Sequence, residues 1–275
     1  MTPVDEAPSR AGLSVPQADK ALFAKNFIRQ AVCELRFPTL YELEGAKPPP
    51  SFAHALRKEY PHQEVVNSIS LSNSGPDSAN NHLFRSKTKS WTVTLRAAAV
   101  VLETNNYSSF QIFKDRLEFV VQAASKVIDS DFFTRVGLRY INSVPYERKE
   151  IGEWVNPSLV APLMEGVYGD PLEYAGRVIG TTENGGYILQ HGIQTTTSRQ
   201  RGIGPLGVGQ GQNIHPSATI QNEYALDFDL YSEDVELADV MDTVQRLHDL
   251  EYSLFNWAIG PAAKKHLGPS TLRGK

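Results

Sequence analysis

Hydrophobic residues at steps of three and four positions mark the end of the chain as a long amphipathic helix. Between Val235 and Ile259 they fall on one helical face: Leu237, Val240, Met241, Val244, Leu247, Leu250, Leu254, Phe255 and Ile259. A stripe this long must be buried, so we expect the helix to pack on a sheet and to end at Gly260 and Pro261. The pattern predicts a structural element and not an active-site loop.

The same periodicity predicts a second long helix that begins after Ser108 or Ser109, either of which is suited to cap it. Its apolar stripe consists of Ile112, Phe113, Leu117, Val120, Val121, Ala124, Val127 and Ile128. Two shorter helices are predicted at 51–59 and near 157–166. Both begin at or beside residues that favour helix starts.

Alternating apolar and polar positions predict strands between these helices. In 27–37, Ala31, Cys33 and Leu35 share one face, while Val32, Glu34 and Arg36 share the other. Further strands are predicted at 65–71, 83–84, 91–103, 133–144, 174–182, 187–197 and 218–231. Turn-forming residues predict a turn at 73–81 and a hairpin at 183–186.

This order of elements predicts an α+β fold with antiparallel sheets packed against long amphipathic helices. Residues 1–18 are expected to form a flexible segment, and 19–275 a single domain. Each half of that domain pairs strands with a long helix, so two similar halves, 19–145 and 146–275, form a further hypothesis.

Composition narrows the class of protein. The 275 residues have a net charge of −4, which disfavours general binding to nucleic acid. The single cysteine, Cys33, excludes a disulfide within the chain and disfavours a zinc site. No apolar run reaches the roughly 18 residues that cross a bilayer. We therefore expect a cytoplasmic protein without a membrane contact.

Arginines on the predicted strands are the first candidates for a binding site. Arg135 and Arg139 share a strand face about 13 Å apart, and Gly137 between them leaves the backbone open to a ligand. Together with Arg96, they could bind an acidic partner or a phosphate. The alternative, which the sequence favours, is salt bridging to Glu34 or Glu103. Arg199 and Arg201 are further candidate binding residues. They precede a glycine-rich stretch, 202–211, interpreted as a mobile hairpin loop without a phosphate-binding motif.

Other side chains give weaker indications of chemistry. Asp227 and Asp229 point to one side of a predicted strand and could bind a hard cation, but a solvated strand face explains them better. Cys33 is expected to be a buried small hydrophobe. The histidines lack ligand spacing, and His248 is expected to be a partly buried structural residue. No catalytic residue and no cofactor is predicted.

Several segments together resemble a sporadically distributed family of bacterial and archaeal proteins of about this length. They are FIRQAVCELRF at 27–37, RVGLRYINSV at 135–144 and RLHDLEYSLFNWAIG at 246–260, with the helix that follows Asn106 and Tyr107. The resemblance spans about 22–268 and implies packing positions rather than catalytic ones. Scattered occurrence of this kind is typical of defence or toxin–antitoxin cargo.

These observations favour a non-enzymatic interaction module of a microbial accessory system, with a protein as its partner. Two alternatives remain. One is a metal-dependent phosphoesterase that uses Asp227 and Asp229. The other is a nucleic-acid-binding subunit of a larger complex. The sequence leaves the oligomeric state open.

Overall fold

The protein folds around one nine-stranded antiparallel sheet in the order β2-β3-β4-β5-β1-β6-β9-β8-β7. This computed structural model describes residues 12–18, 23–72, 75–146, 148–169, 171, 173–194 and 223–268. The strands are β1 (Ile28–Arg36), β2 (His62–Ser72), β3 (Gly75–Arg85), β4 (Trp91–Arg96), β5 (Ala99–Thr104), β6 (Phe132–Pro145), β7 (Tyr174–Thr182), β8 (Gly185–Gln194) and β9 (Glu223–Glu236). The expected antiparallel α+β fold is therefore confirmed.

Two long helices form the second layer. They are α2 (Phe110–Ile128) and α5 (Val240–Ala258). Shorter helices are α1 (Pro50–Leu56), α3 (Ile151–Trp154), α4 (Pro157–Met164) and α6 (Pro261–Leu267). Short 3-10 helices occupy Tyr41–Glu44, Arg148–Glu150 and Leu237–Asp239. The Ser109 side chain accepts a hydrogen bond from the backbone N–H of Ile112, so it is the predicted cap of α2.

The core lies between the sheet and the helices. The predicted inward face of β1, Ala31, Cys33 and Leu35, has no exposed surface. Leu247 and Leu254 on α5 are nearly as buried. Alternation along the strands and helical periodicity in α2 and α5 thus place apolar residues on the two surfaces that meet.

Several predicted boundaries are wrong. Residues 75–81 belong to β3 and not to a turn, because β2 and β3 stay paired from His62↔Arg85 to Ser72↔Gly75. Val235 pairs with Phe133 in the sheet, so α5 begins at Val240 and not at Val235. The predicted strand 91–103 is a hairpin of β4 and β5, and α6 was not predicted.

Part of the N-terminal segment contacts the body of the protein. The backbone N–H of Leu13 donates to the carbonyl of Thr181 at 2.8 Å, and Leu13 and Val15 pack against the core. The rest of that segment, residues 1–11, lies outside the described residues. Within the described ranges, no helix is long and apolar enough to cross a membrane.

Candidate binding face of the sheet

The predicted arginines lie on the face of the sheet that points away from the helices. On β6, Val136, Leu138 and Tyr140 point toward the helical layer and are buried. Tyr140 confirms the direction, because its hydroxyl lies 3.0 Å from Nδ1 of His248 on α5. Arg135, Gly137 and Arg139 alternate with these residues and therefore point to the opposite, open face.

Arg135 is held by carboxylates from both neighbouring strands. Its Nη1 lies 3.3 Å from Glu34 on β1, and its Nη2 lies 3.0 Å from Asp229 on β9. The guanidinium carbon also lies 4.3 Å from the ring centroid of Tyr231, a cation–π contact. With 16% of its side chain exposed, Arg135 is a structural ion-pair partner.

Gly137 makes this arrangement feasible. A Cβ atom at that position would lie 3.2 Å from Nη1 of Arg135, so the guanidinium lies flat against the glycine. The sequence suggested that Gly137 leaves the backbone open to a ligand. In the structure its own neighbour Arg135 occupies that space.

Arg139 forms a two-point ion pair with Asp227. Its Nε donates to Oδ1 at 2.7 Å and its Nη2 to Oδ2 at 2.6 Å. This hydrogen bonding raises the pKa of Arg139 despite partial burial. Because 4% of the Asp227 side chain is exposed, neither member of the pair is free to bind a ligand without breaking the other's contacts.

The geometry does not favour a cation site at the two aspartates. Asp227 and Asp229 do point to one side, as predicted, but each is occupied by an arginine. Burial raises the pKa of Asp229, and Arg135 partly offsets this effect. No cluster of three or more His, Cys, Asp or Glu side chains suited to a metal occurs among the described residues.

Exposed arginines stand at the margin of this network. Arg96 and Arg36 both reach Glu34, with about half of each side chain exposed. Arg96 is therefore the candidate that remains available to a partner. Arg199 and Arg201 lie outside the described residues.

Apolar side chains surround the ion pairs on the open face. Val32, Ile141 and Ile188 are half-buried there, directly opposite charged residues on neighbouring strands. The contacts seen for described helices come from the other side, as when Phe52 of α1 contacts Phe84 and Leu159 of α4 accepts from Tyr224. The open face thus combines apolar surface with charges that neutralise one another.

A buried polar cluster beneath the sheet was not predicted. His248 stacks on Phe110 with centroids 3.7 Å apart, which fits the expectation of a structural histidine. Glu251, one turn further along α5, is 1% exposed, and neither carboxylate oxygen makes a hydrogen bond of good geometry with a described residue, although the backbone of Leu230 lies close enough to lower its pKa. Burial raises the pKa of Glu251 well above its ordinary value, because desolvation disfavours the charged carboxylate. In the sequence, the only indication that this carboxyl group is buried was its position on the apolar face of α5.

Cys33 lies in the same layer. It is buried, and desolvation raises the pKa of its thiol far above the ordinary value. A thiol of this kind is unreactive, as the strand pattern predicted.

Comparison of the chain with protein-family models, with curated proteins and with solved structures gives no match.

Proposed function

We propose that the protein is a non-enzymatic interaction module of a microbial accessory system, and that it contacts a protein partner through the open face of its sheet. The observation that supports this proposal is that the contacts seen for the described helices lie on one side of a nine-stranded sheet. The contacts of α1, α2, α4 and α5 all lie on the other face. A broad, rigid surface with mixed apolar and charged groups suits a protein contact.

The internal ion pairs favour a protein over a nucleic acid. Binding to phosphates depends on cations that are free to replace counterions. Arg135 and Arg139 at the centre of the face are already neutralised by Glu34, Asp229 and Asp227. A partner with its own mixture of apolar and polar groups fits this surface better than a polyanion does.

The same ion pairs weaken the phosphoesterase alternative. A two-carboxylate cation site would require Asp227 and Asp229 to exchange their arginines for a metal. A hydrolytic activity that depends on an added divalent cation and is lost in Asp227→Asn would revive it.

Position-specific crosslinking in the native host tests the proposal. A photo-crosslinking amino acid is placed at Val32 or Arg96 on the open face, and at Glu118, which is exposed on α2, as the control. We expect one and the same protein to be crosslinked from both open-face positions and not from Glu118. Capture from Glu118 alone would contradict the proposal.

A charge-reversal pair gives a second measure. Arg96→Glu on β4 and Lys126→Glu on α2 change the charge by the same amount, each at an exposed position. We expect Arg96→Glu to reduce recovery of the crosslinked protein and Lys126→Glu to leave it unchanged. Recovery of nucleic acid instead, with binding that weakens as salt rises, would support the nucleic-acid alternative.

We also infer that the domain consists of two similar halves, each built as a strand, a short helix, further strands and a long helix. The sheet order supports this, because β1 and β6 pair at the centre and β5 and β9 flank them. Each half contains a helix of 19 residues. The sequence-based boundary between 145 and 146 puts β6 in the first half, whereas the boundary proposed here lies between α2 and β6. Superposing the backbone of 28–128 on that of 132–258 tests this inference. An alignment that matches β1 with any strand other than β6 would contradict the equivalence of the two halves.

A further inference from the structure

Strand β7 (Tyr174–Thr182) is one edge of the sheet, and β8 is the only described strand with which it pairs. The Leu13 contact shows which of its backbone groups point outward, because the carbonyl of Thr181 faces away from β8 to accept that hydrogen bond. In an antiparallel strand each residue directs its N–H and C=O to one side, and successive residues alternate. Ala175, Arg177 and Ile179 therefore also point outward, and no backbone hydrogen bond from a described residue reaches them.

The same edge exposes apolar side chains on both faces of the sheet. Ile179 is 59% exposed on the open face, and Val178 is 44% exposed on the other. Half of the exposed large hydrophobic residues in the described ranges fall on β7 or on the approach to it, namely Met164, Val167, Tyr168, Val178 and Ile179. An apolar, unpaired edge without proline or inward-pointing charge is suited to pairing with another strand.

The charges at this edge are complementary to themselves. If two copies of β7 pair antiparallel about a two-fold axis at Gly176, Ala175 lies opposite Arg177 of the second copy. Glu173 then lies opposite Ile179 of the second copy and diagonal to its Arg177. Long side chains at diagonal positions are within reach of each other. This register also leaves Thr181 paired with Leu13.

We propose that the protein forms a two-fold symmetric homodimer through β7, which joins the two sheets into one. A second copy is the occupant because the register gives two equivalent Glu173–Arg177 pairs and two contacts between Tyr174 and Val178. A closed interface of this kind uses the same patch on both subunits. The pairing uses the backbone edge of β7 and not the crosslinking positions Val32 and Arg96, so this inference and the proposed function can fail independently.

Sedimentation velocity of the full chain over a series of concentrations tests the proposal. We expect a reversible monomer–dimer equilibrium in the wild type. Ile179→Lys should weaken association by at least about tenfold, which equals about 1.4 kcal/mol, since an edge lysine opposes strand pairing. Ile112→Lys, the same change at an isoleucine 47% exposed on α2, is the matched control and should leave the equilibrium unchanged.

Two further variants test the backbone pairing and the register. Arg177→Pro removes an outward N–H and leaves the ladder with β8 intact, so it should also weaken the dimer. Glu173→Arg and Arg177→Glu should each weaken association, and their combination should restore it. Far-UV circular dichroism establishes that each variant is folded.

Three results would overturn the proposal. One is a wild-type protein that remains monomeric at every concentration, even if it binds an added strand-forming peptide. Another is a dimer that persists in both Ile179→Lys and Arg177→Pro. The third is a dimer that Ile112→Lys disrupts equally.

Discussion

At the scale of single residues, the pair between Arg139 and Asp227 is the interaction whose loss should be most costly. Its carboxylate is nearly buried and accepts two hydrogen bonds from one guanidinium. Arg139→Ala leaves that carboxylate charged and unpaired, so we expect a loss of about 3 to 5 kcal/mol in the free energy of unfolding. Urea denaturation measures it.

Two comparisons make this prediction specific. Arg96→Ala removes an arginine that is 49% exposed, and it should cost no more than about 1 kcal/mol. The double change Arg139→Met and Asp227→Leu removes both charges and should recover most of the stability lost in Arg139→Ala. Equal losses in Arg139→Ala and Arg96→Ala would show that the buried pair contributes no more than a surface pair.

Glu251 gives the protein a predictable dependence of stability on pH. Its pKa is raised in the folded state. At pH values above the ordinary glutamate pKa, the folded protein therefore holds a proton that the unfolded chain releases. The free energy of unfolding should therefore fall as pH rises, by about 1.4 kcal/mol per pH unit from this group, until pH passes the folded pKa. Glu251→Gln should remove this contribution to the slope, while Glu118→Gln at an exposed site should not. Identical slopes in all three proteins would contradict a raised pKa of Glu251 in the folded state.

The sequence predicted the faces of these residues but only some of their partners. Alternation placed Arg135 and Arg139 on one side, and Glu34 was among the expected partners. Asp229 and Asp227 were missed as partners, because no local pattern shows that β9 pairs with β6. Strand alternation gives the direction of a side chain, and strand order is needed to give its neighbour.

At the scale of elements, α5 is expected to be an essential part of the core. Leu254 is 2% exposed and packs into the main cluster. Leu254→Ala should lower the free energy of unfolding by about 2 to 5 kcal/mol, from lost burial and the cavity left behind. Ile112→Ala on the exposed side of α2 should cost under about 0.5 kcal/mol. A thermal unfolding curve that Leu254→Ala leaves unchanged would show that α5 is peripheral.

The connection from β8 to β9 should tolerate shortening. The two strands are paired up to Gln194 and Glu223, so the ends of the connection lie side by side. Replacing 202–211 with a short Gly-Ser link should change the free energy of unfolding by less than about 1 kcal/mol, since closure entropy varies slowly with loop length. A loss comparable to that of Leu254→Ala would mean that the segment packs into the fold.

The predicted elements were accurate where periodicity was strong and wrong where polar residues lie in strands. Seven of the eight apolar residues in the predicted stripe of α2 are buried or packed against the core. The eighth, Ile112, is exposed. Residues 75–81 are rich in turn-forming types, and pairing with β2 overrides that local preference. At Val235, pairing with β6 likewise prevails over the helical pattern.

At the scale of the whole molecule, the sequence predicted two layers but not their arrangement. Sheet order depends on contacts between distant segments, and no local pattern states that β1 lies between β5 and β6. The open face is a result of that order, since all the strands join one sheet and the long helices cover one side. The candidate surface could therefore be proposed only after the strand order was known.

The central position of β1 has a consequence for how the chain is made. Cys33 lies opposite Leu102 on one side and Leu138 on the other, so both neighbours of β1 are synthesised long after it. During translation the future middle of the sheet has two unsatisfied edges, a condition that slows folding and favours aggregation. In refolding followed by pulsed hydrogen exchange, we expect the amides of β1 and β6 to become protected together. A nascent chain that stops before Phe132 should need a chaperone to stay dispersed.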